Sequence, residues 1–472
     1  MAPRAGRGIS NYHAVNASDA GRVGNRLRGH DQVKRAESVR TLQVATGAPA
    51  PFLRPTLHLC LLLFVLAFPL RVHHVFTARP SVRVPRGIES QAVADSLSRS
   101  GQFANPFSYE TGPTAHVAPV YPLYLAALMR LFPDDRSYEI TKELLSALAA
   151  SIQYALLPLL AVGIGFSRRV GILAGLLAIG TFLALPRNLL TLETQGSWEH
   201  VHAGLGLVGL CILTAHIFRE RRFNLPFAIA TGVAWGTYLL LIPSMALVFP
   251  TWLIAGFARA RSTGFVRFAL LSIVFLLSTL TPWTIRNLIV IGSPVWGRDN
   301  LGLELHVSNN DCAGASFSNN MLSGCHNTTH PNVNEEEARK VREMGEVAYN
   351  RQRMDDALEW IRSNPGRFAH LSFDRFRRFW FPPVRGPVES LPLWTITVLG
   401  FAGAILAFRA DRTAGWLLGA TLFSYPIVYY FIQHLIRYRY PILWISFLLA
   451  AYALDRGWAF SRSRLARLRS AG

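Results

Sequence analysis

Residues 84–125 read VPRGIESQAVADSLSRSGQFANPFSYETGPTAHVAPVYPLYL, a polar, turn-rich stretch that follows the first long apolar run of the chain, at 56–72. A run of about 17–25 mostly apolar residues is long enough to cross a bilayer, so this loop begins where the chain first leaves one. It carries three carboxylates, Glu89, Asp95 and Glu110, and one histidine, His116. Residues 88–98 have the pattern of a short amphipathic helix, with Val93, Ala94 and Leu97 on one side and Asp95 on the other. Gly101 is placed to stop it. The following 121–132, YPLYLAALMRLF, is apolar but too short to span, and reads as a helix in the membrane interface.

Outward from this loop, the whole chain has the composition of a membrane protein. Of 472 residues, 51% are apolar and 16% charged, with a mean hydropathy of +0.25. Soluble domains carry about 25% charged residues. The formal net charge is +20, but the basic residues flank apolar runs and do not interleave with aromatics away from them. Nucleic acid is therefore excluded as a partner. Apolar runs lie at 56–72, 144–166, 170–185, 202–218, 226–242, 245–257, 265–283, 391–408, 414–432 and 441–460. They predict an all-α polytopic membrane protein of about ten transmembrane helices, with interfacial helices in the first outer loop and a small, mostly helical outer segment. Basic residues gather in alternate connections, at 167–169, 219–222, 259–261 and 409–412, and again at 462–469. By the positive-inside rule both termini are cytoplasmic and the polar loops face outward from the plasma (inner) membrane. The expected organisation is a disordered basic arm at 1–54, a transmembrane module at 55–290 with its first outer loop at 75–138, an outer segment at 291–390, transmembrane helices at 391–460 and a basic tail at 461–472.

The outer segment has its own signals. Asn334 with Glu337 reads as a helix cap, and Pro365 opens a further helix. In that helix Phe368, Leu371, Phe376 and Phe379 alternate with Arg367, Arg375, Arg377 and Arg378, the pattern of a helix lying on a membrane. Of the four cysteines, Cys60 and Cys211 fall in apolar runs and read as packing residues. Cys312 and Cys325 share a polar loop on the oxidising side, where a disulfide closing about 14 residues would add roughly 3 kcal/mol. Glu193 and Glu199 are acidic candidates in the short 187–200 loop. His200 and His202 invite a metal, yet residues two apart on a helix do not face one another. Asp134-Asp135 reads as a helix start. The site is expected to need neither metal nor cofactor.

Several stretches carry a resemblance in a fixed order: GIESQAVADSLSRSGQFANPF and TGPTAHVAPVYPLYLAAL in the first loop, GSWEH at 196–200, TPWTIRN at 281–287, RDNLGLELHVSNN at 298–310 and HLIRYRYP at 434–441. Together they cover most of 57–455 and resemble bacterial membrane glycosyltransferases of the GT-C type, related to the dolichyl-phosphate-mannose–protein mannosyltransferases and aminoarabinose transferases. That family often carries Asp where Glu89 stands, and a second acid where Ser90 follows. The resemblance implies transfer of a hexose or pentose, with inversion, from a polyprenyl-phosphate donor to an extracytoplasmic acceptor, with membrane lipids as the other partners. On it, Glu89 is the candidate general base, since a carboxylate can take the acceptor proton. Arg437 and Arg439, with His434, are the candidate donor-phosphate ligands, because guanidinium groups stabilise the charge that develops on phosphate. Glu199, Glu110, His116, Tyr121 and Arg286 are candidate substrate contacts. A lipid or amphiphile transporter and an inactive scaffold of the same fold are the rival readings. A transporter favours mid-span ionisable residues or broken helices repeated in two halves, and no such repeat is visible.

Overall fold

The computed structural model describes residues 53–77, 89–185, 189–383 and 387–470. Nearly all of the basic arm expected at 1–54, and residues 78–88 of the first loop, lie outside the described residues. Among the described residues the chain is helical without a strand, and only isolated bridges pair Ala104 with Pro113 and Ser316 with His434. All of the apolar runs lie on helices. Among the described residues six of these are long and apolar enough to cross a membrane: Thr56–Thr77, Asp135–Gly163, His200–Glu220, Thr263–Ile291, Glu389–Ala410 and Ile436–Leu468. The other runs form the shorter helices Arg168–Ala184, Leu225–Leu241, Val248–Ala260 and Arg412–Ser424.

Proline accounts for two of the shortened spans. The run at 245–257 is entered through a 3-10 turn, Pro243–Leu247. The run at 414–432 leaves its α-helix at Ser424 and continues as the 3-10 turn Tyr425–Tyr430. Pro426 lacks the N–H that an α-helix needs and crowds the carbonyl four residues back. The last helix runs from Tyr440 to Ser470 and so carries the basic stretch expected as a tail as far as residue 470.

Close packing in the bundle depends on small residues. A Cβ at Gly232 or Gly236 would collide with the Ser272 carbonyl or with Thr279, so these glycines let the Leu225–Leu241 helix lie against Thr263–Ile291. A buried ion pair adds a polar tie. Arg71 Nη2 lies 2.7 Å and its Nε 2.9 Å from Glu193 Oε2, and the Tyr440 hydroxyl donates to Glu193 Oε1 at 2.6 Å. Glu193, an acidic candidate in the sequence, therefore joins the Leu53–Thr77 helix to the start of the last helix. Arg71→Leu is expected to cost about 3–5 kcal/mol, because it strands a buried carboxylate. A thermal melt in detergent checks this, and the double change with Glu193→Leu should recover much of the loss.

Residues 293–383 form a cap of mostly helical backbone that is tied to the bundle where Asn309 and Arg375 donate to the Phe431 carbonyl. Asn334 accepts from the Glu337 amide and opens the Glu335–Met344 helix, as its spacing predicts. Pro365 opens the Pro365–Trp380 helix. That helix does not present all its arginines outward. Arg375 is fully buried and donates to the Ser308 and Phe431 carbonyls and to Asn309 Oδ1. It brackets the cap to the bundle, while Phe373 and Phe376 stay exposed. Cys312 and Cys325 form a disulfide, with Cα atoms 5.5 Å apart.

Candidate active site

Glu89 is the first residue of the Glu89–Ser100 helix, where the unpaired N–H groups of the first turn favour a negative charge. The helix is seated by Val93 and Ala94, both fully buried, with Ala94 packed beside Tyr121 and Leu125 of the Val120–Leu131 helix. Gly101, at φ +73°, ends it in the left-handed region. The loop beyond closes on itself, because Asn105 Oδ1 accepts from the amides of Thr111 and Gly112. Two outside groups then fix the segment before His116. Arg286 donates to the carbonyls of Thr114 (2.7 Å) and Phe103 (2.8 Å), and Glu346 accepts from the Ala115 amide (2.7 Å) and the Thr114 hydroxyl.

These ties place His116 under Glu89. Its Nε2 lies 3.8 Å from Glu89 Oε1, and Nε2 of His330, from the cap, lies 4.0 Å from the same oxygen. Burial pushes the Glu89 carboxyl up, but the His116 imidazole outweighs it. His330 and then Arg437 lower it further, and the carboxyl is held at about 2. Burial pulls His116 down, and contact with Glu89, followed by the fields of Glu346 and Glu304, raises it overall. Glu89 is thus an ionised carboxylate next to an imidazole that favours its proton.

Glu89 opens onto a cavity that is also lined by Tyr121, Trp198, Glu199, Arg298, Glu304, Tyr429, Arg437 and Tyr438. The Arg437 guanidinium lies over the Trp198 ring, 3.2 Å from its centroid. Among the described residues neither Arg298 nor Arg437 has a hydrogen-bond or ion-pair partner. Two unsatisfied guanidinium groups facing one cavity form a ready anion site. Glu304 is carried by the short Leu301–Ser308 helix. That helix lies so close to Glu346–Ser363 that a Cβ at Gly302 would strike the Asn350 carbonyl, and Asn350 Oδ1 accepts from the Leu303 amide. Burial first, and then the charge of Glu89, push the Glu304 carboxyl up. Of the carboxyls that line the cavity, Glu89 and Glu304 are therefore driven in opposite directions.

The structure sorts the residues expected from the sequence. Glu89, Glu199, Tyr121 and Arg437 line the cavity, and the Tyr121 hydroxyl donates to the Gly196 carbonyl at 2.6 Å. His116 lies behind Glu89 and does not reach the cavity. Glu110 is exposed on the loop surface. Arg286 is spent on the loop carbonyls and on the rings of Phe103 and Trp283. Arg439 is turned the other way: it is buried, donates to the Trp380 carbonyl (2.8 Å) and lies 3.2 Å from the Ser446 hydroxyl. With His434 it lines a second, small, mostly apolar cavity. Burial, with Arg378 nearby, lowers His434 to about 4, so it brings no positive charge to a phosphate at neutral pH. Among the described residues no group of three or more His, Cys, Asp or Glu side chains is spaced to hold a metal ion.

Four members of the site were not singled out from the sequence: Trp198, Arg298, Glu304 and His330. Arg298 and Glu304 both lie within RDNLGLELH, where a charged pair followed by Glu304 among leucines was the available signal.

No protein-family model matches the sequence, and no curated protein does. Among solved structures, the chain is similar to the oligosaccharyltransferase of Archaeoglobus fulgidus tethered to an acceptor peptide containing an NVT sequon, with 16% identity over 86% of this chain and 50% of that one and a TM-score of 0.50. It is similar to the same enzyme in complex with zinc and sulfate at 15% identity, over 86% and 50% of the two chains, again with a TM-score of 0.50. The chain spans about half the length of these structures, and at such identity the likeness concerns the fold. With the apolar helices, it shows a polytopic membrane protein, helical among the described residues, that shares the fold of these oligosaccharyltransferase structures.

Proposed function

We propose that the protein is a membrane glycosyltransferase that moves a sugar from a polyprenyl-phosphate donor to an acceptor hydroxyl or amide at the outer face, with Glu89 as base. The observation that carries this reading is the convergence of Glu89 with the unpaired guanidinium groups of Arg298 and Arg437 on one cavity. A donor with its lipid in the bilayer would place its phosphate between the two arginines and the sugar C1 toward Glu89. The acceptor attacks C1 as the C1–oxygen bond to phosphate breaks, which inverts the anomeric centre. The electron pair of that bond goes to the phosphate oxygen, where the arginines stabilise the added charge. The acceptor proton goes to Glu89. A carboxylate held near 2 cannot deprotonate a free hydroxyl, so the proton moves late, once the attacking oxygen is bonded to C1 and has become strongly acidic. Glu304, whose carboxyl burial pushes up, lines the same cavity and can hydrogen-bond a sugar hydroxyl beside it.

Mass spectrometry of free polyprenyl phosphate tests this directly. Purified protein in lipid nanodiscs is incubated with polyprenyl-phosphate hexoses and pentoses, with and without a cell-envelope extract as acceptor source. The expected result is catalytic release of polyprenyl phosphate from one donor class. Binding without turnover across the whole panel would support the inactive scaffold.

The charge bias of the connections supports an outward-facing site with both termini inside. A cysteine introduced at Glu110, which is exposed on the loop, should react with a membrane-impermeant maleimide in intact cells. Labelling only after lysis would place the site on the other face.

A further inference from the structure

His330 faces Glu89 at 4.0 Å without lining the cavity. It comes from a part of the chain with no other business at the cavity. The Cys312–Cys325 disulfide closes the loop ahead of it, and Cys325 begins the short Cys325–Thr329 helix that ends at His330. Three further contacts fix the imidazole. His326 stacks on it with ring centroids 4.6 Å apart, and Phe107 meets it edge-on at 5.8 Å while also meeting His116 at 4.8 Å. The Asn332 amide donates to its Nδ1 at 3.1 Å. Asn332 is itself tied to the first loop, where its Oδ1 accepts from the amide and hydroxyl of Ser108.

The Asn332 contact determines the tautomer. A neutral imidazole whose Nδ1 accepts must carry its proton on Nε2, and Nε2 is the atom aimed at Glu89 Oε1. Burial, opposed by the field of Glu89, keeps His330 neutral, near 3. His330 therefore offers a fixed N–H dipole, while His116 offers a group that can carry a full charge. The groups facing Glu89 from all sides are His116 on its own loop, His330 backed by His326 on the disulfide loop, Glu304 on the Leu301–Ser308 helix and Arg437 on the last outer turn. Glu346 and Asp299 lie behind His116.

We propose that His330 is a positioning residue for Glu89: locked as the Nε2–H tautomer and delivered by the Cys312–Cys325 loop, it holds Glu89 Oε1 between itself and His116 so that the carboxylate faces the cavity ionised. The inference rests on Glu89 being the base proposed above. It assigns the disulfide loop a part in the site, since opening that loop frees the helix on which His330 is presented.

A test that needs no sugar donor keeps the two readings apart. Dicyclohexylcarbodiimide adds only to a protonated carboxyl, so the pH at which the Glu89 peptide gains mass reports the protonation of that residue. Wild-type Glu89 should stay unlabelled at pH about 5, well below which a carboxylate with a charged partner titrates. In His330→Ala the onset of labelling should move up by about 1 pH unit or more. His330→Gln, which keeps an N–H donor at the same reach, should stay close to wild type. Cys312→Ser with Cys325→Ser should behave like His330→Ala. Size-exclusion profiles and melting curves identify any variant that has not folded, and the Gln variant then carries the comparison. An unshifted onset in folded His330→Ala would overturn the proposal, as would equal shifts in the Ala and Gln variants, which would make His330 a packing group. Sugar transfer by Glu89→Gln tests the base separately, so loss of that reading leaves the coupling of His330 to Glu89 readable.

Discussion

Glu89→Gln is expected to lower sugar transfer by about 10²–10⁴-fold, the range typical of losing a general base, with little change in donor binding. The amide keeps the size and hydrogen-bonding reach of the carboxylate but cannot take a proton. Because the proton moves late, the loss should appear in kcat and leave the KM for the donor near wild type. The pH profile offers a second check. Glu89 is held at about 2, so it stays ionised across the neutral range, and wild-type transfer should not decline on the acid side where an ordinary carboxylate, at about 4.3, would begin to protonate. The stability linkage has the same sign. A depressed carboxyl contributes stability above its unfolded value, and that contribution is lost as pH falls toward 2. His116 works in the opposite sense. Its raised value contributes stability below the unfolded value of about 6.5, which is lost as pH rises through the folded value. Stability should therefore soften on the alkaline side first. Rates for wild type and Glu89→Gln against pH, paired with melts at each pH, check both statements.

Arg437→Ala is expected to reduce kcat by about 10²–10³-fold, as when one preorganised donor to a developing charge is removed. Arg298→Ala should act in the same direction. The donor phosphate is already anionic before reaction and gains charge as the bond breaks, so both variants should also raise KM. Arg437→Lys restores charge without the planar fork and should recover only part of the loss. Neither arginine has a hydrogen-bond or ion-pair partner among the described residues, so the melting curves of the alanine variants should stay near wild type. Arg439→Ala makes the contrast. It removes a buried guanidinium that donates to the Trp380 carbonyl, and its chief effect should be on stability.

The membrane fold was legible because a bilayer requires long apolar runs, and each such run became a helix. The number of full spans was not legible, because hydropathy does not register where Pro243 and Pro426 turn an apolar run into 3-10 backbone. Glu89 and Arg437, 348 residues apart, could be paired through the order of motifs. Choosing between Arg437 and Arg439 needed local geometry. Both lie on the 3-10 turn Ile436–Arg439, and residues two apart on such a turn point to different sides, so RYRY cannot send both arginines into one cavity. That spacing was visible in the sequence. Glu304 and His330 were not accessible in the same way. Glu304 arrives because Gly302 lets one short helix lie against Asn350, and His330 arrives at the end of a disulfide-closed loop. Both depend on tertiary closure, which leaves no period in the chain. Arg286 and Glu193 show the converse: charged residues in or beside apolar runs read as functional, and both proved to be ties within the fold.

The most direct test of the account is a cryo-EM structure of the protein with polyprenyl phosphate bound in a nanodisc. The phosphate is expected between Arg298 and Arg437, with guanidinium nitrogens about 2.7–2.9 Å from its oxygens and Glu89 open to the space where the sugar would sit. Phosphate density in the cavity beside Arg439 and His434, with Arg437 still stacked on Trp198 and touching nothing else, would contradict it.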